Sequence, residues 1–317
     1  MKKEIDKKKL SIIIPHYNSL KKLERLIKTI PYKNKDVEVI VVDDNSEDKI
    51  GYELLKEKYK EIIFLKNISS IKGAGASRNI GLQNSKGEWL LFADADDFFL
   101  ENAFEKIERY LNNKEDIIFF TPTSMYEDTK KKAERHLMYK NLVEKYLIKG
   151  NIGIRYFYMV PWSKLIKRNL VEKKNIKFDE VIASNDINFS LKIGFYANSI
   201  KGTRDQIYCV TKNKGSLTTS VSKEIFDSRY EAVKRYNDFL KEKKLTIYQS
   251  PMIDFIFMSR RYGYKEMLKV LLESLSKNYI IIPRSYYRII KNPKLLIEKI
   301  ISKRKEMIVE KKYQKIR

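Results

Sequence analysis

The first 125 residues alternate short apolar runs with stretches of helical spacing. Residues 10–14 (LSIII) read as a buried strand closed by Pro15. Asn18 or Ser19 then caps a helix whose apolar positions, Leu20, Leu23, Leu26, Ile27 and Ile30, share one face. Residues 37–42 (VEVIVV) form a β-branched second strand ending in Asp43-Asp44-Asn45-Ser46. A short helix over 52–59 and a strand over 62–65 come next. The segment 73–77 (GAGAS) leads into a helix through Leu82 that ends near Gly87, and 89–93 (WLLFA) is the fourth strand. A helix over 102–111 and a strand over 117–120 complete the alternation. This order predicts an α/β fold with a mostly parallel sheet flanked by helices and joined by crossovers.

Past residue 125 the rhythm weakens. Residues 126–135 read as a polar, exposed connection, and 161–168 (PWSKLIKR) as a turn into a short helix. A helix over 184–193 has Ser184 as its cap and Asp186 in its first turn, where the helix dipole favours an acid. A late strand over 207–210 and a helix over 223–240 follow. No internal repeat is visible.

Composition narrows the chemistry. The 317 residues are 43% hydrophobic and 33% charged, enough to bury a core. One cysteine, Cys209, rules out an intrachain disulfide and reads as a small core residue. Two histidines, His16 and His136, leave little for a His-based metal site or a Ser-His-Asp triad. Any metal is therefore held by oxygen. His16 itself reads as a loop residue beside the site. No apolar run reaches the ~18 residues of a spanning helix, and the run before Pro15 is too short for a signal peptide. A cytoplasmic protein is expected, either soluble or peripheral on the inner face of the plasma membrane. Net charge is +24, and residues 241–317 alone carry 20 basic against 7 acidic side chains. Apolar and basic residues interleave over 279–290 and 295–301, as in helices that lie on an anionic membrane or merely cover a domain. Nucleic acid is a weaker alternative, since no recognition motif accompanies the charge.

Two strands end in acids: Asp43 and Asp44 after the second, Asp94, Asp96 and Asp97 after the fourth. In one parallel sheet both clusters lie at the carboxyl edge, where open α/β sheets bind ligands. Carboxylates this close repel, and a hard divalent cation that also touches phosphate is an economical remedy. An acidic turn is the plainer alternative. Between the clusters, Lys72-Gly-Ala-Gly-Ala-Ser-Arg78 opens a helix with glycines and two cations, a setting that attracts phosphate. It is neither a dinucleotide fingerprint nor a Walker A loop.

Taken together, SIIIPHYNS, VEVIVVDDNSED, GAGASRNIGLQNSKGEWLLFADADD, PWSKLIKR and SNDINFSLKIG resemble a family 2 glycosyltransferase of the GT-A fold over residues 10–210. The resemblance implies a domain over 1–220, with a nucleotide-binding half about 8–125 and an acceptor half about 126–220. A basic helical region follows over 221–317. It also implies metal-dependent, inverting transfer of a sugar from a nucleotide-diphosphate donor, a UDP-sugar, to a hydroxyl of a saccharide or lipid-linked glycan. By position, Pro15, Tyr17 and Asn18 border the nucleoside, Asp43 and Asp44 contact the base, and Lys72 and Arg78 lie near the diphosphate. Asp94-Ala95-Asp96 matches the DxD motif, with Asp96, helped by Asp94, holding Mn²⁺ or Mg²⁺. Asp186 matches the catalytic base; its predecessor is Asn185 where the family usually has Glu. Asp97, Trp162, Lys164 and Asn185 fall on the acceptor side. The rival readings are a nucleotidyltransferase, which would carry a glycine-rich loop where PHYNS stands, and a non-catalytic basic binding module.

Overall fold

The computed structural model describes residues 8–212 and 222–283. The expected boundary near 220, residues 284–290 of the first tail segment and all of the second lie outside the described residues. The described residues divide into two compact units, with the division between Tyr236 and Asn237.

The strands are β1 (Leu10–His16), β2 (Val37–Asp43), β3 (Ile63–Lys66), β4 (Trp89–Phe92), β5 (Phe98–Phe99), β6 (Ile117–Phe120), β7 (Thr123–Tyr126), β8 (Lys164–Lys167), β9 (Ile200–Thr203) and β10 (Tyr208–Lys212). In the first unit the helices are α1 (Leu20–Ile27), α2 (Lys49–Lys58), α3 (Ala74–Asn84), α4 (Ala103–Glu108), α5 (Leu137–Lys149), α6 (Ile154–Phe157), α7 (Arg168–Lys173) and α8 (Ile187–Tyr196). The division between units falls inside α9 (Lys223–Glu242), and α10 (Ile253–Ser259) and α11 (Tyr264–Ser276) belong to the second.

Seven strands form the main sheet in the order β3-β2-β1-β4-β8-β6-β9. All pairings are parallel except those of β8, which runs antiparallel to β4 and β6. The mostly parallel α/β expectation therefore holds. The chain leaves β1 toward β2 and β3, then returns through α3 to β4 on the other side of β1. This reversal opens a crevice at the carboxyl ends of β1 and β4. Alternate residues of β1 feed different cores. Ile12 and Ile14 pack with α1, α2 and α4, while Ile13 packs with residues of α5, α6 and α8. A sheet covered on both faces needs the continuous apolar strands seen in the sequence.

A small sheet, β5-β10-β7, sits beyond β4. Cys209 lies in β10 and is buried, as expected of a core residue.

Three local expectations are corrected. The LIK of PWSKLIKR is strand, pairing with β4 and β6, and the helix starts only at Arg168. His16 is the last residue of β1, fully buried, and not a loop residue. The helix expected from Ser184 begins at Ile187; Ser184 has φ 57° and caps nothing, and Asp186 stands at the cap position.

Candidate active site

The parallel register sets His16 beside Asp43 at the carboxyl edge. His16 Nδ1 donates to Asp43 Oδ1 at 3.0 Å, and its Nε2 accepts from the Ser19 N–H at 3.2 Å. That pair of partners fixes a neutral tautomer. Burial lowers the imidazole pKa against the pull of Asp43. Ser46 donates its hydroxyl to Asp43 Oδ1 and its N–H to Oδ2. Asp43 is thus engaged on both oxygens and ties the β1 loop to the β2 loop. Asn18 completes the tie, donating its N–H to Ser46 Oγ and accepting from the Glu47 N–H. Pro15 is buried within β1, whereas Tyr17, just past its end, is 54% exposed.

Asp44 holds the next loop. Its Oδ1 accepts from Asn67 Nδ2 at 2.6 Å and its Oδ2 from the Gly73 N–H at 2.7 Å. Gly73 has φ 125°, open to glycine but strained for other residues. Gly75 packs against the carbonyl of Asp179, so a Cβ there would push away the loop carrying Asp186. Lys72 is exposed at this loop's tip.

At the end of β4 the four residues diverge. Asp94 is half-buried and accepts from Arg78 at 2.6 Å, while its N–H donates to the Tyr208 hydroxyl. Ala95 is buried. Asp96 is half-buried, with its pKa raised by burial and by Asp94; Lys22 and Arg135 oppose the shift. Asp97 faces inward, 1% exposed, accepting from the Thr211 N–H at 2.7 Å. Burial, Asp96 and Asp94 raise its pKa, and the Tyr208 hydroxyl also bonds it. It therefore braces the turn and does not face the acceptor side as expected. Arg25 of α1 and Thr211 of β10 both donate to the Asp96 carbonyl and so hold the turn from two elements distant in the chain.

Arg78 links this turn to the far wall. One terminal nitrogen reaches Asp94 and the other reaches Asn185 Oδ1 at 2.7 Å. Beside Asn185, Asp186 makes no capping hydrogen bond. Burial is the main cause of its raised pKa, and Asp94 adds to it; Arg78 and Lys164 pull it down. Lys164 is fully buried. Trp162 is a core residue, packed among Tyr139 and Tyr208 rings.

Among the described residues no three His, Cys, Asp or Glu side chains group as a ready metal cage. The donor set at Asp94 and Asp96 nonetheless fits a hard cation. Two half-exposed carboxylates crowd each other, one is only partly offset by Arg78, and Mg²⁺-type ions use one or two carboxylates plus substrate phosphate. Arg25, Thr211, Tyr208 and Arg135 escape a sequence reading because each meets the turn from an element distant in the chain. A cavity of about 870 Å³, lined by Lys86, Asp116 and Lys174 among others, opens at the opposite edge of the sheet and holds none of these residues.

The crevice therefore has an acidic turn on one wall, joined through Arg78 to the segment carrying Asp186 on the other. Residues 11–173, just over half the chain, match the family described as Glycosyl transferase family 2. The protein belongs to that family and is a glycosyltransferase. It is 27% identical over 282 residues to the poly(ribitol-phosphate) beta-N-acetylglucosaminyltransferase TarP of Staphylococcus aureus strain N315, covering 86% of this chain and 82% of the relative. It is 30% identical over 239 residues to the cholesterol galactosyltransferase of Borreliella burgdorferi, covering 69% and 64%. Among solved structures, S. aureus TarS 1–349 in complex with UDP-GlcNAc superposes with TM-score 0.59 at 21% identity, over 84% of this chain and 77% of that one. The Pyrobaculum calidifontis mannosyltransferase in complex with GDP-Man and Mn²⁺ gives 0.54 at 12%, over 84% and 75%. These likenesses establish the GT-A fold.

Proposed function

We propose that the protein is an inverting, metal-assisted glycosyltransferase that moves a sugar from a UDP-linked donor to a hydroxyl of a saccharide or lipid-linked glycan. One observation carries this reading: Asp186 stands at a helix start without capping it, is biased toward holding a proton, and is tied through Asn185 and Arg78 to the acidic turn. A carboxylate used only as a cap would bond the helix amides. The UDP-GlcNAc complex of TarS and the N-acetylglucosaminyl and galactosyl transfers named for the relatives favour UDP over other nucleotides.

In this reading Pro15, Tyr17 and Asn18 border the nucleoside, and Asp44 meets the base. Asp43, already saturated, holds Asp44 in place. Lys72 is the exposed cation available to the diphosphate, while Arg78 aligns Asp94 and Asn185. Asp96, helped by Asp94, would hold Mn²⁺ or Mg²⁺, with Asp94 the nearer of the two to the ribose or sugar. A bound ion supplies charge neutralisation on the departing diphosphate. Asp186 takes the acceptor hydroxyl proton as that oxygen bonds to the anomeric carbon, and the bond from this carbon to the diphosphate oxygen breaks on the opposite face. The nucleotide diphosphate leaves with the electron pair, and the anomeric configuration inverts. The charge of the last quarter supports, as part of the same proposal, peripheral contact with an anionic membrane on the cytoplasmic side. No helix among the described residues is long and apolar enough to cross one.

The test is incubation with UDP-, GDP- and TDP-sugars plus Mn²⁺, reading nucleotide release and the first anomer formed by NMR. Release from a UDP-sugar with inverted product is expected. Protection by no nucleotide in a melting assay, together with no release, would overturn the proposal.

A further inference from the structure

Lys164 has no part in the chemistry above, yet it is the one lysine in the buried set of the described residues. It enters β8 opposite Phe119 of β6. Its Nζ lies 3.1 Å from the Tyr158 carbonyl and 3.1 Å from Ser190 Oγ, and the rings of Phe119 and Tyr158 flank it at 5.8 and 5.3 Å. Both hydrogen-bond partners are neutral. An ammonium held this way is costly, and an apolar side chain of similar length would serve the core better. What the lysine does gain is its place under α8. Ser190 lies one turn beyond Asp186, and its N–H donates to the Asp186 carbonyl at 2.9 Å. Lys164 therefore grips the first turn of the helix that presents Asp186, from the buried side.

We propose that Lys164 is a positioning residue for the base, pinning the first turn of α8 through Ser190 and supplying a positive charge behind the Asp186 carboxylate. The inference rests on Asp186 being the base. The electrostatics agree with the geometry: burial lowers the Lys164 pKa to about 7 while Asp186 opposes the drop, and Lys164 in turn lowers that of Asp186. The other groups facing Asp186 are Arg78 from α3, which lowers its pKa, Asp94 beyond β4, which raises it, and Tyr139 of α5. Tyr139 keeps its phenol proton: burial and Asp186 raise its pKa, against Arg135. Tyr158 is likewise held protonated by burial.

Two consequences follow with definite sign. Without the lysine charge, Asp186 holds its proton to higher pH, so the acid limb of turnover moves up. The folded-state pKa of Lys164 lies below its unfolded value, so the folded state binds less proton between the two. The resulting stability penalty is absent above the unfolded pKa, grows as pH falls, and is complete below about 7. Removing the amine therefore relieves a penalty while harming turnover.

The experiment is Lys164→Met in the full chain, measured by UDP release from UDP-N-acetylglucosamine and UDP-galactose with water as acceptor, from about pH 5 to 9. We expect the acid limb to rise by about one pH unit and turnover near pH 6 to fall roughly tenfold. UDP affinity should stay within about twofold of wild type, and Tm at neutral pH should be no lower. A folded variant with the wild-type pH profile overturns the proposal, as does a lower Tm with an unmoved limb, the mark of a merely structural lysine. Should this variant not fold, Ser190→Ala reads the pin: a loss of about threefold or more in turnover at unchanged UDP affinity is expected, and wild-type turnover overturns it. Asp186→Asn separates the two levels. If it retains turnover, the base reading itself fails; if it is inactive while Lys164→Met matches wild type, only the lysine inference fails.

Discussion

The acidic ends of β2 and β4 look alike in sequence and differ in the folded protein. At β2 both aspartates are buried, whereas at β4 only Asp97 turns inward and Asp94 and Asp96 stay half-buried. At β2, Asp43 is met by His16 and Ser46, and Asp44 by Asn67 and Gly73, so every carboxylate oxygen has a neutral donor. At β4, Asp97 is met by Thr211, but Asp96 is crowded by Asp94 and its opposing cations, Lys22 and Arg135, do not pair with it directly. A cluster satisfied by amides and hydroxyls is a scaffold that shapes a loop. A cluster that keeps uncompensated negative charge is where a cation gains most. The number of aspartates did not distinguish them; the donors around them did.

The largest expected effect is across the crevice from both clusters. Asp186→Asn should cut UDP release by at least about 10³-fold while leaving UDP affinity within a few-fold, as measured by single-turnover kinetics and calorimetry. Loss of UDP affinity instead would place Asp186 on the donor side. Next comes the bridge between the walls. Arg78→Lys cannot span Asp94 and Asn185 with one fork, so turnover should fall by about 100-fold with a smaller change in donor KM. Wild-type turnover there would mean the walls align without it.

The inward aspartates give smaller, thermodynamic effects. The folded pKa of Asp97 is raised, so the stability it lends is present at low pH and lost as pH rises through that value. Asp97→Asn keeps an acceptor for Thr211 and cannot ionise. It should melt about 3 °C higher than wild type near pH 8 and converge with it near pH 4. A lower melting point near pH 8 would show that the carboxylate is favourably held. The smallest effect is at β2: Ser46→Ala should cost about 1 kcal/mol by urea unfolding, since Asp43 keeps His16 and the Ser46 amide.

What was legible in sequence follows the same division. The strands up to β4 and both acidic ends could be read because each apolar run is short, continuous and bounded by turn residues. Those runs carry enough local signal to place the crevice. β8 escapes the pattern because its apolar run is only Leu165-Ile166, bounded by Lys164 and Lys167, and Lys164 is buried for reasons outside the strand. The start of α8 was misread because Ser184 resembles a cap, yet its left-handed backbone withholds it from that role. β5 is two residues long and exists only through pairing with β10. The fates of Asp43 and Asp97 depended on partners such as Thr211, 114 positions from Asp97, which no local pattern reveals.

The most direct test of the contrast is a titration of UDP with and without Mn²⁺ on wild type, Asp96→Asn and Asp44→Asn. The account predicts that Mn²⁺ tightens UDP binding to wild type by at least about tenfold, an increment lost in Asp96→Asn but kept in Asp44→Asn, whose metal-free affinity is weaker. A metal increment that survives in Asp96→Asn, or one that disappears with Asp44, would contradict it.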